Sequence, residues 1–146
     1  MSPKSTLELR TEKPKHSKYP KEIKTVGDEL RAVRLDRGLT QHEVAEMIGV
    51  NRNFIYEFEL GKRINTIYAL HKVYSFIGYL PKTLMIDENT LHGKLFAHRI
   101  RNGYTYQRVA QMIGLDKSTV RRFVRGLIIN EVSRKQIDIY FEKIIR

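Results

Sequence analysis

The chain repeats itself, and that feature constrains its fold more than any other. Shifted by 65 residues, positions 28–61 fall on 93–126 without a gap, and 12 of the 34 pairs are identical. The identities are Leu30/Leu95, Ala32/Ala97, Arg34/Arg99, Gly38/Gly103, Thr40/Thr105, Val44/Val109, Ala45/Ala110, Met47/Met112, Ile48/Ile113, Gly49/Gly114, Phe58/Phe123 and Gly61/Gly126. Other pairs keep their class: Leu35/Ile100, Val50/Leu115, Arg52/Lys117, Ile55/Val120. Similarity of this density, centred on glycines and apolar positions, predicts two related modules in tandem. A length of 146 residues suits one domain of ordinary size or two very small ones and rules out a large α/β enzyme.

Each module reads as short helices. In the first, Thr25 with Asp28 marks a helix start, and Val26, Leu30, Val33 and Arg34 follow helical spacing. Gly38 stops that helix. Thr40 to Glu43 spells a capping box for the next, with Val44, Ala45 and Ile48 on its inner face. Gly49 breaks it in the turn Ile48-Gly49-Val50. Asn51 caps a third helix running to about Leu60, with Ile55 and Phe58 inward. A fourth, from Thr66 to Ile77, carries Ile67, Leu70, Val73, Tyr74 and Ile77 on one side. Two short helices joined by a tight glycine turn make a helix-turn-helix.

The second module follows the same plan. Helices are expected over Leu95–Asn102, from the Thr105 cap to Ile113, over Lys117–Arg125 after the Asp116 cap, and from Asn130 to about Ile144. The last has Val132, Ile137, Tyr140, Phe141 and Ile144 as apolar positions. Arg108 replaces the capping-box Glu, so this module is the more degenerate.

The string from Leu30-Arg-Ala-Val-Arg34 through Gly38-Leu-Thr-Gln41-His-Glu-Val-Ala45-Glu-Met-Ile-Gly49-Val, then Ile55, Phe58-Glu59 and Gly61-Lys62, resembles the phage-repressor-like (Cro/XRE-type) helix-turn-helix family over residues 25–80. Residues 91–146 resemble it more weakly. The resemblance implies an all-α fold of two tandem lambda-repressor-like bundles. The division is then a basic N-terminal arm at 1–24, a first domain at 25–80, a linker at 81–90 and a second domain at 91–146. It also implies a regulator of transcription that binds double-stranded DNA. Gln41 matches the family's phosphate-contacting Gln, whereas its counterpart is Tyr106. Arg34 and Glu59 match a structural ion pair. Arg99 faces Val124 instead and is released for another partner. The base-reading positions map to Arg52, Asn53 and Glu57, and to Lys117, Ser118 and Arg122.

The chemistry of these positions suits DNA. Asn pairs with adenine, and Arg or Lys with guanine, through two bonds each. Glu57 suits a cytosine amine but repels phosphate. Tyr56 suits a thymine methyl or, equally, another protein. Asn51 sits at the mouth of the recognition helix, and Lys62 and Arg63 just past it suit phosphate contact. Arg121 and Arg125 add charge to the second recognition helix.

The 27 Lys and Arg against 16 Asp and Glu leave a net charge of +11. It is uneven: residues 1–24 carry +4, 25–64 carry −1, 65–92 are neutral and 93–146 carry +8. Neutralising phosphates supplies much of DNA affinity, so the second module is expected to bear a large share. Two arrangements fit. Either both modules dock in successive major grooves as a covalent pseudo-dimer, or only the basic module and the arm bind DNA. In the second case the first module holds a protein partner or a second copy through Tyr56, Phe54 or the aromatics Tyr68, Tyr74, Phe76 and Tyr79. The chain would then be an antitoxin, or an accessory factor of a phage or recombinase.

Other classes fit poorly. No cysteine is present, which removes disulfides, thiolate zinc sites and thiol nucleophiles. The five His have no metal spacing, and no phosphate-binding Gly loop or nucleophile motif occurs. An enzyme, a metal and a cofactor are therefore not expected. The longest near-apolar stretch, Val73–Leu80, is far short of a membrane span, and the N-terminus lacks the apolar core of a signal peptide. A cytoplasmic protein without a membrane partner is expected.

Overall fold

The computed structural model describes residues 18–145; most of the expected basic arm, 1–17, lies outside the described residues. Among the described residues there are eight α-helices and no strand: α1 Val26–Asp36, α2 Gln41–Ile48, α3 Arg52–Glu59, α4 Ile67–Ile77, α5 Leu91–Asn102, α6 Tyr106–Ile113, α7 Lys117–Val124 and α8 Glu131–Ile145. A 3-10 turn, Lys82–Leu84, lies between α4 and α5. The starts of α5, α6 and α7 follow those of α1, α2 and α3 by 65 residues.

Local chemistry places most helix starts. The Thr25 and Thr40 hydroxyls accept from the amides of Asp28 and Glu43, whose carboxylates accept in return from the threonine amides. These reciprocal bonds satisfy amides that a helix cannot pair internally. They also hold the Glu43 carboxyl below its usual range. Asn51, Thr66, Thr90, Thr105 and Asp116 cap α3 to α7, and Asn130 Oδ1 accepts from Ser133 N at 2.7 Å. Thr90 caps through Gly93 N, so α5 begins at Leu91, one turn before the expected Leu95. The turns after α2 and α6 use Gly49 at φ 72° and Gly114 at φ 88°, a conformation costly for any residue with a Cβ.

Two clusters of buried side chains hold these helices together. One joins Leu30 of α1, Val44 and Ala45 of α2, Ile55 and Phe58 of α3, and Leu70, Val73 and Ile77 of α4. The other joins Leu95 of α5, Val109 and Ala110 of α6, Val120 and Phe123 of α7, and Ile137 and Phe141 of α8. Each Val, Leu, Ile or Phe among them contributes about 1.5–3 kcal/mol when fully buried. The clusters meet at α5, where Phe96 packs against both and Ile100 is buried in the first.

Packing overrides two readings of the sequence. Phe54 and Phe76 are buried in the first cluster rather than exposed for a partner. Phe54 stacks on Phe58 with ring centroids 5.9 Å apart, and Arg37 lies 4.7 Å over Phe76. Val132 and Ile144 are exposed, because α8 turns Ile137 and Phe141 inward instead. The start of the 81–90 segment is anchored to α1. Pro81 is buried, and the buried Glu29 carboxylate accepts from the Lys82 and Thr83 amides.

Candidate nucleic-acid interface

In α3 the helical period separates two faces. Ile55 and Phe58 point to the core, while Arg52, Asn53 and Tyr56 are exposed. Behind the exposed face lies a buried ion pair. Arg34 Nε donates to Glu59 Oε2 at 2.6 Å, and Nη2 donates to Oε1 at 2.8 Å. Arg34 Nη1 donates to the Leu39 carbonyl at 2.9 Å, and Gln41 Nε2 donates to Glu59 Oε1 at 3.1 Å. The end of α3 is thus tied to α1 and to the start of α2. Gln41 is half-buried and engages Glu59 with its amide.

The equivalent place in α5–α7 is built from different chemistry. Val124 is buried where Glu59 would be, yet Arg99 is still buried. Its Nε donates to the Tyr104 carbonyl at 3.0 Å, and its guanidinium lies 3.6 Å from the Tyr106 ring centroid. Burial pushes the Arg99 pKa down, and Tyr106 opposes that. Arg99 therefore has partners in the neighbouring loop and helix start, and Tyr106 serves as its aromatic seat. A cation on an aromatic face, shielded from water, is worth about 2 kcal/mol.

The two exposed helix faces differ in electrostatics. On α3, Asn53 Nδ2 donates to Glu57 Oε1 at 2.5 Å, and Arg63 Nη2 approaches the same oxygen at 3.9 Å. The Arg63 guanidinium also lies 4.6 Å over Phe54, and Arg52 stands 6.0 Å over Tyr56. Asn51 spends its side-chain oxygen on the Phe54 amide, while Lys62 is exposed. Lys117, Arg121 and Arg122 on α7, and Arg125 at its C-terminal cap, are all exposed, and none pairs with a carboxylate among the described residues. Arg122 Nη2 donates to the Ile128 carbonyl at 3.2 Å. Bonds from Thr119, and one from Ser118 at 3.0 Å, hold the Asp116 carboxyl below its usual range.

A groove of about 680 Å³ runs beside α3, lined by Arg31, Gln41, His42, Arg52 and Tyr56, with Lys18 at its edge. Arg31 and Lys18 did not stand out in the sequence. Arg31 lies one turn before Arg34 on α1, and that spacing was the available signal. No cluster of His, Asp or Glu among the described residues is placed to hold a metal ion. No helix there is long and apolar enough to cross a membrane.

Comparison with known proteins bears on one part of the chain. No curated protein and no solved structure matches it. The family model described as helix-turn-helix matches residues 30–74. That span runs from α1 into α4 and contains the pair α2 and α3 with the Gly49 turn, so residues 30–74 form a helix-turn-helix domain.

Proposed function

We propose that the chain is a sequence-specific regulator of transcription that binds double-stranded DNA with two recognition helices, α3 and α7, each in a major groove. In this reading α5–α8 is a second, diverged copy of the α1–α4 module, and the chain acts as a covalent pseudo-dimer without catalysis. The observation that carries it is the α7 surface. Lys117, Arg121, Arg122 and Arg125 project from a helix whose opposite face, Val120, Phe123 and Val124, is buried. Such a row of cations, with no carboxylate partner among the described residues, on a short rigid helix fits the phosphates and guanine edges of one groove. Residues of α3 supply the second reading head, with Arg52 and Asn53 exposed near its start. Affinity for duplex DNA should fall steeply with salt, each phosphate contact contributing about 0.9 to the logarithmic slope. Arg122→Glu and Arg52→Glu, measured by fluorescence anisotropy on a duplex selected from random sequence, should each weaken binding at least tenfold. If Arg52→Glu binds the selected duplex as well as the parent, α3 does not read DNA.

One observation favours a second reading. Glu57 engages both Asn53 and Arg63, residues 25–64 carry a net −1, and Tyr56, Leu60 and Tyr68 are exposed. An α3 surface of this kind suits a protein partner, with α7 alone on DNA, as in an antitoxin or a recombinase accessory factor. An unaffected Arg52→Glu variant with a crippled Arg122→Glu variant is the result that favours it.

A further inference from the structure

The contact between α4 and α5 joins the two helix-turn-helix units more tightly than a linker would. His71 of α4 stands beside the end of α5, with Nδ1 2.8 Å from the Ile100 carbonyl. Its ring closes on Gly103 so nearly that a Cβ there would lie 3.0 Å from it. Ile100 is buried with Val73 and Ile77 of α4, although it belongs to α5. The Arg101 guanidinium makes two bonds, at 2.7 and 3.0 Å, to the Glu88 carboxylate in the connecting segment. The near end of that segment is held by Glu29 of α1 through the Lys82 and Thr83 amides. Arg37 of α1 donates to the Phe76 and Ile77 carbonyls at 2.7 and 3.1 Å, which pins the end of α4 as well.

We infer that this α4–α5 seam does the work of a dimer interface: it holds the two recognition helices at one separation and so makes the spacing between half-sites a specificity determinant. The inference rests on the two-helix reading of function and adds spacing to it. The seam is an apolar contact closed by a partly buried bond to the Ile100 carbonyl, and well-packed interiors deform little. A flexible connection behaves differently. Released from its anchors, the ten residues 81–90 would extend to about 35 Å, which is close to one turn of duplex, about 34 Å. A tethered pair of domains would therefore rebind when half-sites are moved apart by one full turn. A rigid pair would not.

Two measurements test this separately. The chain has no cysteine, so Glu46→Cys on α2 and Gln111→Cys on α6, both exposed, accept nitroxide labels at two chosen points. Pulsed electron paramagnetic resonance should give one narrow distance distribution; a broad or multiple distribution overturns the rigid seam. His42→Cys with Gln107→Cys gives a second label pair if the first disturbs folding. On DNA, the probe is a duplex selected from random sequence with the full chain, then lengthened at its centre by about half a turn or about one turn. Both insertions should cost at least tenfold in affinity. Recovery at one full turn overturns the inference. A selected site no longer than one half-site, or no selected site, overturns the two-helix reading instead, and the label distances then still decide whether the seam is rigid.

Discussion

Replacing Glu59 with Val installs in α3 the residue that α7 carries at the equivalent position, Val124. Glu59 accepts two bonds from Arg34 and one from Gln41, at 2.6, 2.8 and 3.1 Å. Its side chain is 3% exposed and that of Arg34 is 8%, so water does not substitute for the lost carboxylate. Arg34 would keep only its bond to the Leu39 carbonyl. Removing one partner of a buried ion pair costs about 3–5 kcal/mol, because the remaining charge is stranded. A domain is typically stable by about 5–15 kcal/mol, so Glu59→Val should remove a large part of that stability. The α5–α7 segment shows a way to compensate, since Arg99, with Val124 at the position aligned to Glu59, rests on Tyr106. Adding Gln41→Tyr to Glu59→Val should therefore return about 2 kcal/mol. Gln41→Tyr alone should lose about 1 kcal/mol with its hydrogen bond. The two changes are then strongly non-additive. Urea unfolding followed by circular dichroism and by tyrosine fluorescence measures the cycle, as the chain has eight Tyr and no Trp. A cost below about 1 kcal/mol for Glu59→Val, or strictly additive costs, refutes the reasoning.

Three further outcomes are expected. Glu57→Gln removes the carboxylate that engages Asn53 and Arg63, and should tighten duplex binding about threefold, the scale of an exposed charge pair; unchanged or weaker binding in anisotropy titrations contradicts this. Gly27→Ala places a Cβ 2.1 Å from the Phe58 carbonyl oxygen, so α1 and α3 must separate at a cost of about 1–3 kcal/mol, and an unchanged melting temperature would refute it. His98 sits 2.9 Å from the Tyr140 hydroxyl, and burial with nearby Arg101 lowers its pKa from the usual 6.5. A depressed folded-state value means that the neutral ring stabilises the fold above pH 6.5, and that this contribution is lost as pH falls from there toward the lowered value. The melting temperature should drop between pH 7.5 and 5.5 in the parent, and drop less in His98→Gln; equal drops would remove His98 as the cause.

Much of the helical frame was legible from residues three or four apart. Thr25 with Asp28 and Thr40 with Glu43 announce helix starts because a cap needs only its own first turn. Gly49 announces the turn for the same local reason. The inward face of α3 followed from spacing at Ile55 and Phe58. Spacing failed for Phe54, Phe76 and Val132, whose burial depends on which neighbouring helix covers them. Phe54 meets Tyr68, and Phe76 meets Arg37, across distances in sequence that no local period encodes.

The candidate interface divides the same way. The identity of its exposed residues is written in the recognition-helix positions themselves, from Arg52 and Asn53 to Lys117 and Arg122. Which of them are engaged by neighbours is a tertiary matter: Glu57 bonds Asn53 and Arg63, whereas the α7 cations have no carboxylate among the described residues. Sequence alone also determined that Arg99 had lost its acidic partner, because Val124 stands in that place. Only the fold decided that Tyr106 would replace it, since the approach of α5 to the start of α6 brings guanidinium and ring together. Likewise the similarity at a 65-residue shift was visible in the chain, but the seam between α4 and α5 was not. It depends on His71, Ile100 and Gly103 meeting across packed helices, and such contacts come into being only when the two helices are laid side by side.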